Sequence, residues 1–255
     1  MTVRDVGAAV RLADLIRGAG SVVALTGAGI SVPSGIPDFR SPGTGLWNNV
    51  DPTEVAHIDV FRRDPERFWH FYGARFHTLE HKRPNRAHEA LAKLERAGLL
   101  DAVVTQNIDR LHGRAGSREV IEVHGTIDHS SCVSCGITYR LADVRARQAA
   151  DAGSVPRCDC SSPLKPDVVL FGEYLPMEAL ARAEQLAAQA DLMLCIGSSL
   201  EVYPVAELPA ITLNAGGQIA ILTQGATPFD GCASVRCAGD IVDELDAVIA
   251  ALDLD

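Results

Sequence analysis

The feature that most constrains the fold is a repeated alternation of short apolar runs with stretches of helical period. Six runs rich in β-branched residues recur along the chain: SVVALT, DAVVTQ, EVIEVHG, PDVVLFG, DLMLCIG and QIAILT. Most are separated by alanine- and leucine-rich stretches such as NRAHEALAKLERAG and PMEALARAEQLAAQA. Short buried strands that alternate with helices are typical of a parallel sheet covered by helices on both faces. The sequence therefore predicts an α/β fold with a doubly wound, Rossmann-like parallel sheet.

Two stretches interrupt this alternation. Residues 42–83 show no strand pattern and indicate a loop followed by helix, whereas residues 127–166 contain four closely spaced cysteines. We expect these two insertions to form a second, smaller domain. The larger domain would then comprise residues 1–41, 84–126 and 167–255.

Four of the seven cysteines lie in two tight pairs, CVSC and CDC, which contribute Cys132, Cys135, Cys158 and Cys160. Thiolates from two such turns can close a tetrahedral sulfur shell around zinc. Because all four coordination positions are filled, the ion would be structural. The smaller domain is therefore predicted to bind zinc, and the alternative is four unligated cysteines in a loop.

The composition argues against two classes of binding partner, nucleic acids and membranes. The chain is 47% hydrophobic and 22% charged, which is ordinary for a globular enzyme, and its net charge of -10 argues against nucleic acid as a partner. No apolar run approaches the ~20 residues that span a bilayer. The stretch MTVRDVGAAVRLADLIRGAG has the spacing of an amphipathic helix and lacks a signal-peptide core. We therefore expect a cytoplasmic protein that binds neither nucleic acid nor membrane.

Polar segments follow four of the predicted strands: TGAGIS, TQNID, VHG and IGSSLEVYP. In open α/β sheets, ligands bind at the carboxyl ends of the strands. We therefore expect these segments to converge on one crevice. Taken singly, each is a modest signal, because a lone histidine after a strand is more often structural and Asn107 or Asp109 could cap the next helix.

Taken together, the segments resemble the sirtuin family of NAD-dependent protein lysine deacylases. The matching stretches are the two cysteine pairs, GAGISVPSGIPDFRS, TQNIDRLH, VHG, KPDVVLFGE and GSSLEVYPVAELP, in family order from residue 20 to about residue 240. The resemblance implies NAD as co-substrate, one structural zinc ion, and acylated lysine-containing proteins or peptides as partners.

The resemblance also implies catalytic roles. The acyl oxygen of the modified lysine would displace nicotinamide from the ribose of NAD. His124 would then act as general base on a ribose hydroxyl, which attacks the imidate carbon. Asp109 and the backbone of Ile108 would hold the nicotinamide carboxamide. Asn107 would hold the ribose or an ordered water, and Gln106 would contact the ribose.

A third set of implied roles concerns the cofactor. The glycine turn would receive the pyrophosphate on the amides of Ala28 and Gly29, because glycine permits a close approach. Phe39 would shield the reacting ribose carbon from water. Thr223 stands where many sirtuins carry asparagine. The implied cofactor-binding residues are Gly27, Ala28, Gly29, Phe39, Arg40, Gln106, Ile108, Gly197, Ser198, Ser199 and Thr223.

The acylated peptide is expected to add as an extended strand between residues 169–173 and 201–205, with Val169, Phe171 and Gly172 as contacts. Tyr72 and Arg75 are spaced i, i+3 on a predicted helix, so both can project from one face. Sirtuins that prefer succinyl- or malonyl-lysine carry Tyr-x-x-Arg at this place, and an arginine can fork onto a carboxylate. The alternative is that Tyr72 only packs and Arg75 is solvated.

Two other functions would use the same crevice. One is transfer of ADP-ribose to protein. The other is a non-catalytic NAD- or ADP-ribose-binding module, against which His124 and Asn107 argue, since binding alone needs neither a base nor a water holder.

Overall fold

A computed structural model describes residues 6–39, 43, 45, 51–150 and 155–254. Its strands are β1 (Val22–Thr26), β2 (Ala102–Thr105), β3 (Val120–Glu122), β4 (Gly125–Cys132), β5 (Thr138–Arg140), β6 (Leu164–Val168), β7 (Leu192–Ile196), β8 (Gln218–Leu222) and β9 (Val235–Cys237). Its helices are α1 (Val6–Gly18), α2 (Pro52–Val55), α3 (Ile58–Arg63), α4 (Pro65–Glu80), α5 (Arg86–Arg96), α6 (Leu111–Ala115), α7 (Leu141–Ala150), α8 (Met177–Gln189), α9 (Leu208–Asn214) and α10 (Ile241–Ala251). Among the described residues, no helix combines the length and the apolarity needed to cross a membrane.

The main sheet has six strands in the order β3-β2-β1-β7-β8-β9, and every pairing in it is parallel. Alternate residues of β1 enter different cores because successive side chains of a strand point to opposite faces. Ala24 packs in a cluster with residues of α1, α5 and α10, whereas Val23 and Leu25 pack with residues of α8 and α9. Helices therefore cover both faces, and the predicted doubly wound parallel sheet is confirmed.

A second sheet, in the order β5-β4-β6, is antiparallel. Its own core contains Phe61 and Phe68 from the helical insertion, and the Trp69 indole N–H donates to the Leu164 carbonyl at 2.9 Å. The two insertions thus share one apolar cluster. The assignment of residues 1–41, 84–126 and 167–255 to one domain and of the rest to another stays a prediction.

One predicted strand lies elsewhere. The run PDVVLFG was expected in the parallel sheet, but its first residues end β6 in the antiparallel sheet. Gly125, directly after His124, opens the opposing strand with a φ of +74°, and a Cβ there would lie 2.0 Å from the Asp167 carbonyl oxygen. His124 therefore lies in the short connection between β3, the edge strand of the main sheet, and β4 of the second sheet.

Candidate active site

The carboxyl ends of four adjacent strands, β3, β2, β1 and β7, carry the predicted polar segments, and Thr223 follows the next strand, β8. Backbone hydrogen bonds join neighbouring ends: the Gln106 amide donates to the Thr26 carbonyl at 3.0 Å, and the Gly27 amide to the Ile196 carbonyl at 3.0 Å. The Thr223 amide, at the end of β8, donates to Cys237 at 3.1 Å. The structure therefore brings the segments to one edge of the sheet, as the strand pattern predicted.

Three glycines pack against each other at this edge. A Cβ on Gly29 would lie 2.8 Å from Gly197, and one on Gly197, where φ is +62°, would lie 2.4 Å from the Ile30 nitrogen. The Gly29 amide donates to the Gly197 carbonyl at 2.8 Å. The prediction that this amide points at phosphate is therefore wrong in this structure. Gly27 and Gly29 are needed for the close approach of two turns, and Ala28 stays a half-buried residue at the start of a 3₁₀ turn.

His124 is half-buried and held from both sides. Its Nδ1 lies 2.9 Å from the Gln106 carbonyl oxygen, and its own carbonyl accepts the Val169 amide at 2.8 Å. Because a carbonyl oxygen only accepts, Nδ1 carries the proton and Nε2 keeps its lone pair. Burial lowers the pKa of His124, and the bond to Gln106 opposes that shift in part. The imidazole is therefore neutral at neutral pH, which is the form that a general base needs.

Asn107 and Asp109 are buried and share one partner, Ser31. The Ser31 hydroxyl donates to Asp109 Oδ2 at 2.6 Å, and Asn107 Nδ2 donates to the Gly27 carbonyl at 3.0 Å and to Ser31 Oγ at 3.2 Å. Burial raises the pKa of the Asp109 carboxyl, and the bond from Ser31 acts against it. Asp109 Oδ1 also accepts the Leu111 amide at 2.9 Å, so this side chain does stabilise the start of α6 as well.

The other predicted cofactor residues lie along the same edge. Ser198 is buried, and its Oγ accepts Gln106 Nε2 at 2.9 Å, which links the ends of β2 and β7. The half-buried residues of the set are Phe39, Gln106, Ile108, Ser199 and Thr223. Arg40 lies outside the described residues.

The predicted peptide-binding segment is already partly paired. The Phe171 amide donates to the Ala56 carbonyl and the Phe171 carbonyl accepts the Ile58 amide, both at 2.9 Å. Both backbone groups of Phe171 are therefore used within the chain, so strand addition at this residue is wrong, although the residue as a whole is 44% exposed. Gly172, at a φ of +84°, is exposed, and a Cβ there would lie 2.8 Å from the His57 ring.

Tyr72 and Arg75 both lie on α4, and Arg75 contacts Phe39. The Tyr72 ring stacks on Phe68 and Phe76 with centroids 4.7 and 5.4 Å apart, and burial raises its pKa to about 12. The Arg75 guanidinium lies 5.5 Å from the centroid of the Phe39 ring, and burial lowers the pKa of this half-buried group. Arg75 is therefore not a solvated surface residue, and Tyr72 does pack in the core.

The four paired cysteines come together beside the antiparallel sheet, where Cys132 ends β4. The Sγ atoms of Cys132 and Cys160 are 3.5 Å apart, as are those of Cys135 and Cys158, and Cys135 and Cys160 are 3.8 Å apart. A tetrahedron with Zn–S bonds of ~2.3 Å has edges of ~3.8 Å. The donor set and its spacing therefore fit a four-thiolate zinc site.

Comparison with known proteins identifies the family. A model of the Sir2 family matches residues 27–204. The chain belongs to the Sir2 family. An NAD-dependent protein deacetylase of Thermotoga maritima is 47% identical over 231 residues, which are 90% of this chain and 92% of that protein. An NAD-dependent protein deacylase of Archaeoglobus fulgidus is 42% identical over 88% of this chain and 91% of its own length.

Solved Sir2 structures match across nearly the whole chain. A Sir2 complex with a p53 peptide and NAD+ has a TM-score of 0.88 at 43% identity and covers 96% of this chain and 98% of that one. A Sir2 structure with a propionylated peptide gives the same TM-score, identity and coverage.

Sequence reasoning missed three polar residues of this Sir2 site. Ser31 lies within the quoted glycine segment but carried no predicted role. His88 Nε2 lies 3.4 Å from Ser31 Oγ, and His112 Nε2 lies 2.9 Å from Thr26 Oγ1. Burial lowers the pKa of His88 to about 4 and of His112 to about 3, so both stay neutral inside the protein. Of the three histidines His88, His112 and His124, only His124 is half-buried rather than buried, and it is therefore the best placed to act on a ligand.

Proposed function

We propose that the chain is an NAD-dependent protein lysine deacylase, which releases nicotinamide, O-acyl-ADP-ribose and free lysine. The observation that carries the proposal is the neutral His124, whose tautomer is fixed by Gln106 at the strand-end crevice of a Sir2 protein. The names of the relatives and the NAD+ and peptide in solved Sir2 structures support it.

The residues of the crevice fit a dinucleotide. Half-buried polar side chains such as Gln106, Ser199 and Thr223 follow β2, β7 and β8 at one edge of the main sheet, where phosphates and riboses of a nucleotide are bound in open α/β sheets. When bound, NAD supplies a ribose carbon from which nicotinamide can leave. The chain's own groups bind and orient it, and the Phe39 ring excludes water from the reacting side.

Three side chains divide the catalytic work. His124 accepts a proton at Nε2, because Nδ1 is occupied by the bond to Gln106. Asp109 offers carboxylate oxygens to the carboxamide of nicotinamide, and its orientation is set by Ser31 and by the Leu111 amide. Asn107 keeps its carbonyl oxygen for a ribose hydroxyl or a water, since its amide nitrogen is used by Gly27 and Ser31.

We further propose that succinyl- and malonyl-lysine are substrates beside acetyl-lysine, with Tyr72 and Arg75 as the residues that recognise the acidic acyl group. The placement of the Arg75 guanidinium over Phe39 supports this, because Phe39 is assigned to the reacting ribose. A half-buried guanidinium is stabilised by a carboxylate that forks onto it. The acyl carboxylate would supply that partner, and the Tyr72 hydroxyl a further hydrogen bond.

The assay that tests both parts uses one peptide sequence carrying acetyl-, succinyl- or malonyl-lysine, with and without NAD, followed by mass spectrometry. We expect loss of each acyl group only with NAD, and O-acyl-ADP-ribose in equal amount. Turnover of the acetyl peptide alone would overturn the acidic-acyl part. Incorporation of labelled ADP-ribose into plain protein without deacylation would favour the transferase function instead.

We also propose that Cys132, Cys135, Cys158 and Cys160 hold one structural zinc ion. The sulfur–sulfur distances of 3.5–3.8 Å support this. With four thiolates the shell is complete, so the ion would stabilise the antiparallel sheet and take no part in the reaction.

Removing this zinc is expected to unfold the second sheet and to reduce activity indirectly. Structural zinc sites contribute ~10–16 kcal/mol of apparent binding free energy at pH 7 in small zinc-finger peptides, and that free energy is available only to the folded site. Cys135→Ser should therefore lower both the zinc content and the melting temperature. Cys232→Ser, at an exposed cysteine outside the cluster, is the matched control. Active protein without stoichiometric zinc in elemental analysis would contradict the proposal.

A further inference from the structure

We propose a second metal site, at the carboxyl end of α4, formed by His77, Glu80 and His81. One ligand atom from each of these residues lies within 4.8 Å of the others. The two imidazole rings are 4.8 Å apart between centroids, at an interplanar angle of 88°. All three residues lie outside the cysteine cluster and outside the crevice described above.

The helix places the three side chains on one face. His77 and His81 are spaced i, i+4, and Glu80 follows His77 by three residues, which are the spacings of neighbours on a helical surface. His81 caps α4 with φ −88° and ψ −7°, so the helical periodicity continues to it. Both histidines are exposed and Glu80 is half-buried, so an ion can reach the cluster from solvent.

A cationic group already occupies the point where two of the ligands converge. Arg145, on α7, donates to His77 Nδ1 at 2.7 Å and also to Glu80 Oε2. A guanidinium has donors only, so the His77 Nδ1 lone pair and the Glu80 oxygen must both point at this positive group. A metal ion would use the same two lone pairs and would add His81 as a third ligand.

The ligand set selects the class of metal. Two imidazoles and one carboxylate suit borderline ions such as Zn²⁺, Ni²⁺ and Cu²⁺, whereas Ca²⁺ and Mg²⁺ prefer oxygen ligands throughout. Three protein ligands leave positions for water, unlike the closed four-sulfur shell. The ion would displace Arg145 from Glu80 and His77, so metal binding and the bridge between α4 and α7 would exclude each other.

The test is calorimetric titration of the full chain with Ni²⁺, after the zinc content has been fixed and verified. We expect one Ni²⁺ per chain, and a melting temperature that rises with Ni²⁺ concentration. His81→Ala should weaken Ni²⁺ binding by about tenfold or more, by comparison with the 10–100-fold effects of losing even outer-sphere partners. His70→Ala, at an exposed histidine on the same helix, should leave the affinity unchanged. Arg145→Gln should tighten Ni²⁺ binding, because the competing guanidinium is gone.

Two results would overturn the proposal. The first is Ni²⁺ binding that is equal in the unchanged protein and in His81→Ala, which would mean adventitious binding elsewhere. The second is an unchanged Ni²⁺ affinity in Arg145→Gln, which would mean that the ion does not take the place of the guanidinium. Because His81 is exposed, its replacement tests the site without disturbing a packed core.

Discussion

His124→Ala is expected to reduce NAD-dependent deacylation by about 10²–10⁴-fold, the usual cost of losing a general base. NAD affinity should change little, because the nucleotide is held mainly by the other strand ends. The reason lies in the geometry: His124 Nδ1 is 2.9 Å from the Gln106 carbonyl oxygen, which leaves Nε2 as the atom that can accept a proton. Steady-state kinetics with one acyl peptide and calorimetry with NAD separate the two effects.

The pH profile gives a second readout of the same residue. Burial lowers the pKa of His124 from 6.5, and the base must be unprotonated to work. The midpoint of the acid limb of kcat/KM should therefore lie below pH 6.5, and His124→Ala should abolish that limb. His129→Ala, a half-buried histidine on β4, serves as control and should keep both the rate and the limb. Normal turnover by purified His124→Ala protein would contradict the assignment of His124 as the general base.

The main sheet could be predicted because its strands are buried on both faces and therefore form continuous apolar runs. The same signal, a continuous apolar run, led to the wrong prediction that PDVVLFG is a strand of the parallel sheet. In β6, Leu164, Pro166 and Val168 are buried in alternation, which is the pattern of an antiparallel strand with one buried face. The apolar letters VVLF lie mostly beyond that strand, so periodicity alone could not separate the two cases. The edge strand β9 (Val235–Cys237) was not predicted, because Arg236 interrupts its three residues and leaves no apolar run.

The location of the site followed from one rule, that ligands gather where parallel strands end. The roles of individual groups did not follow from it. A Gly-x-Gly turn has the same letters whether its amides bind phosphate or pack on another turn, and the contact between Gly29 and Gly197 decides for packing. The role of Ser31 depends on its hydrogen bond to Asp109, which is 78 positions away in the sequence. A local sequence pattern does not contain such a long-range partner.

Arg75→Met is expected to impair removal of succinyl and malonyl groups far more than removal of acetyl. Only the acidic acyl groups carry a carboxylate, so only they lose a charge-assisted pair and meet an apolar wall instead. Truncating one partner of such a pair typically costs ~2–5 kcal/mol. Since each ~1.4 kcal/mol is tenfold, relative kcat/KM should fall roughly 30-fold or more.

The control for Arg75→Met is Arg67→Met, at a residue near the start of the same helix, α4. Arg67 is exposed and pairs with Glu54 at 3.3 Å, and exposed ion pairs contribute little, so Arg67→Met should leave all three activities nearly unchanged. Tyr72→Phe should reproduce part of the Arg75 effect, because it removes one hydroxyl and keeps the rings stacked on Phe68 and Phe76. Equal losses on acetyl and succinyl peptides in Arg75→Met would instead mean that Arg75 supports the position of Phe39. The acyl group would then be recognised by its amide alone, and acetyl-lysine would be as good a substrate as any acidic acyl-lysine.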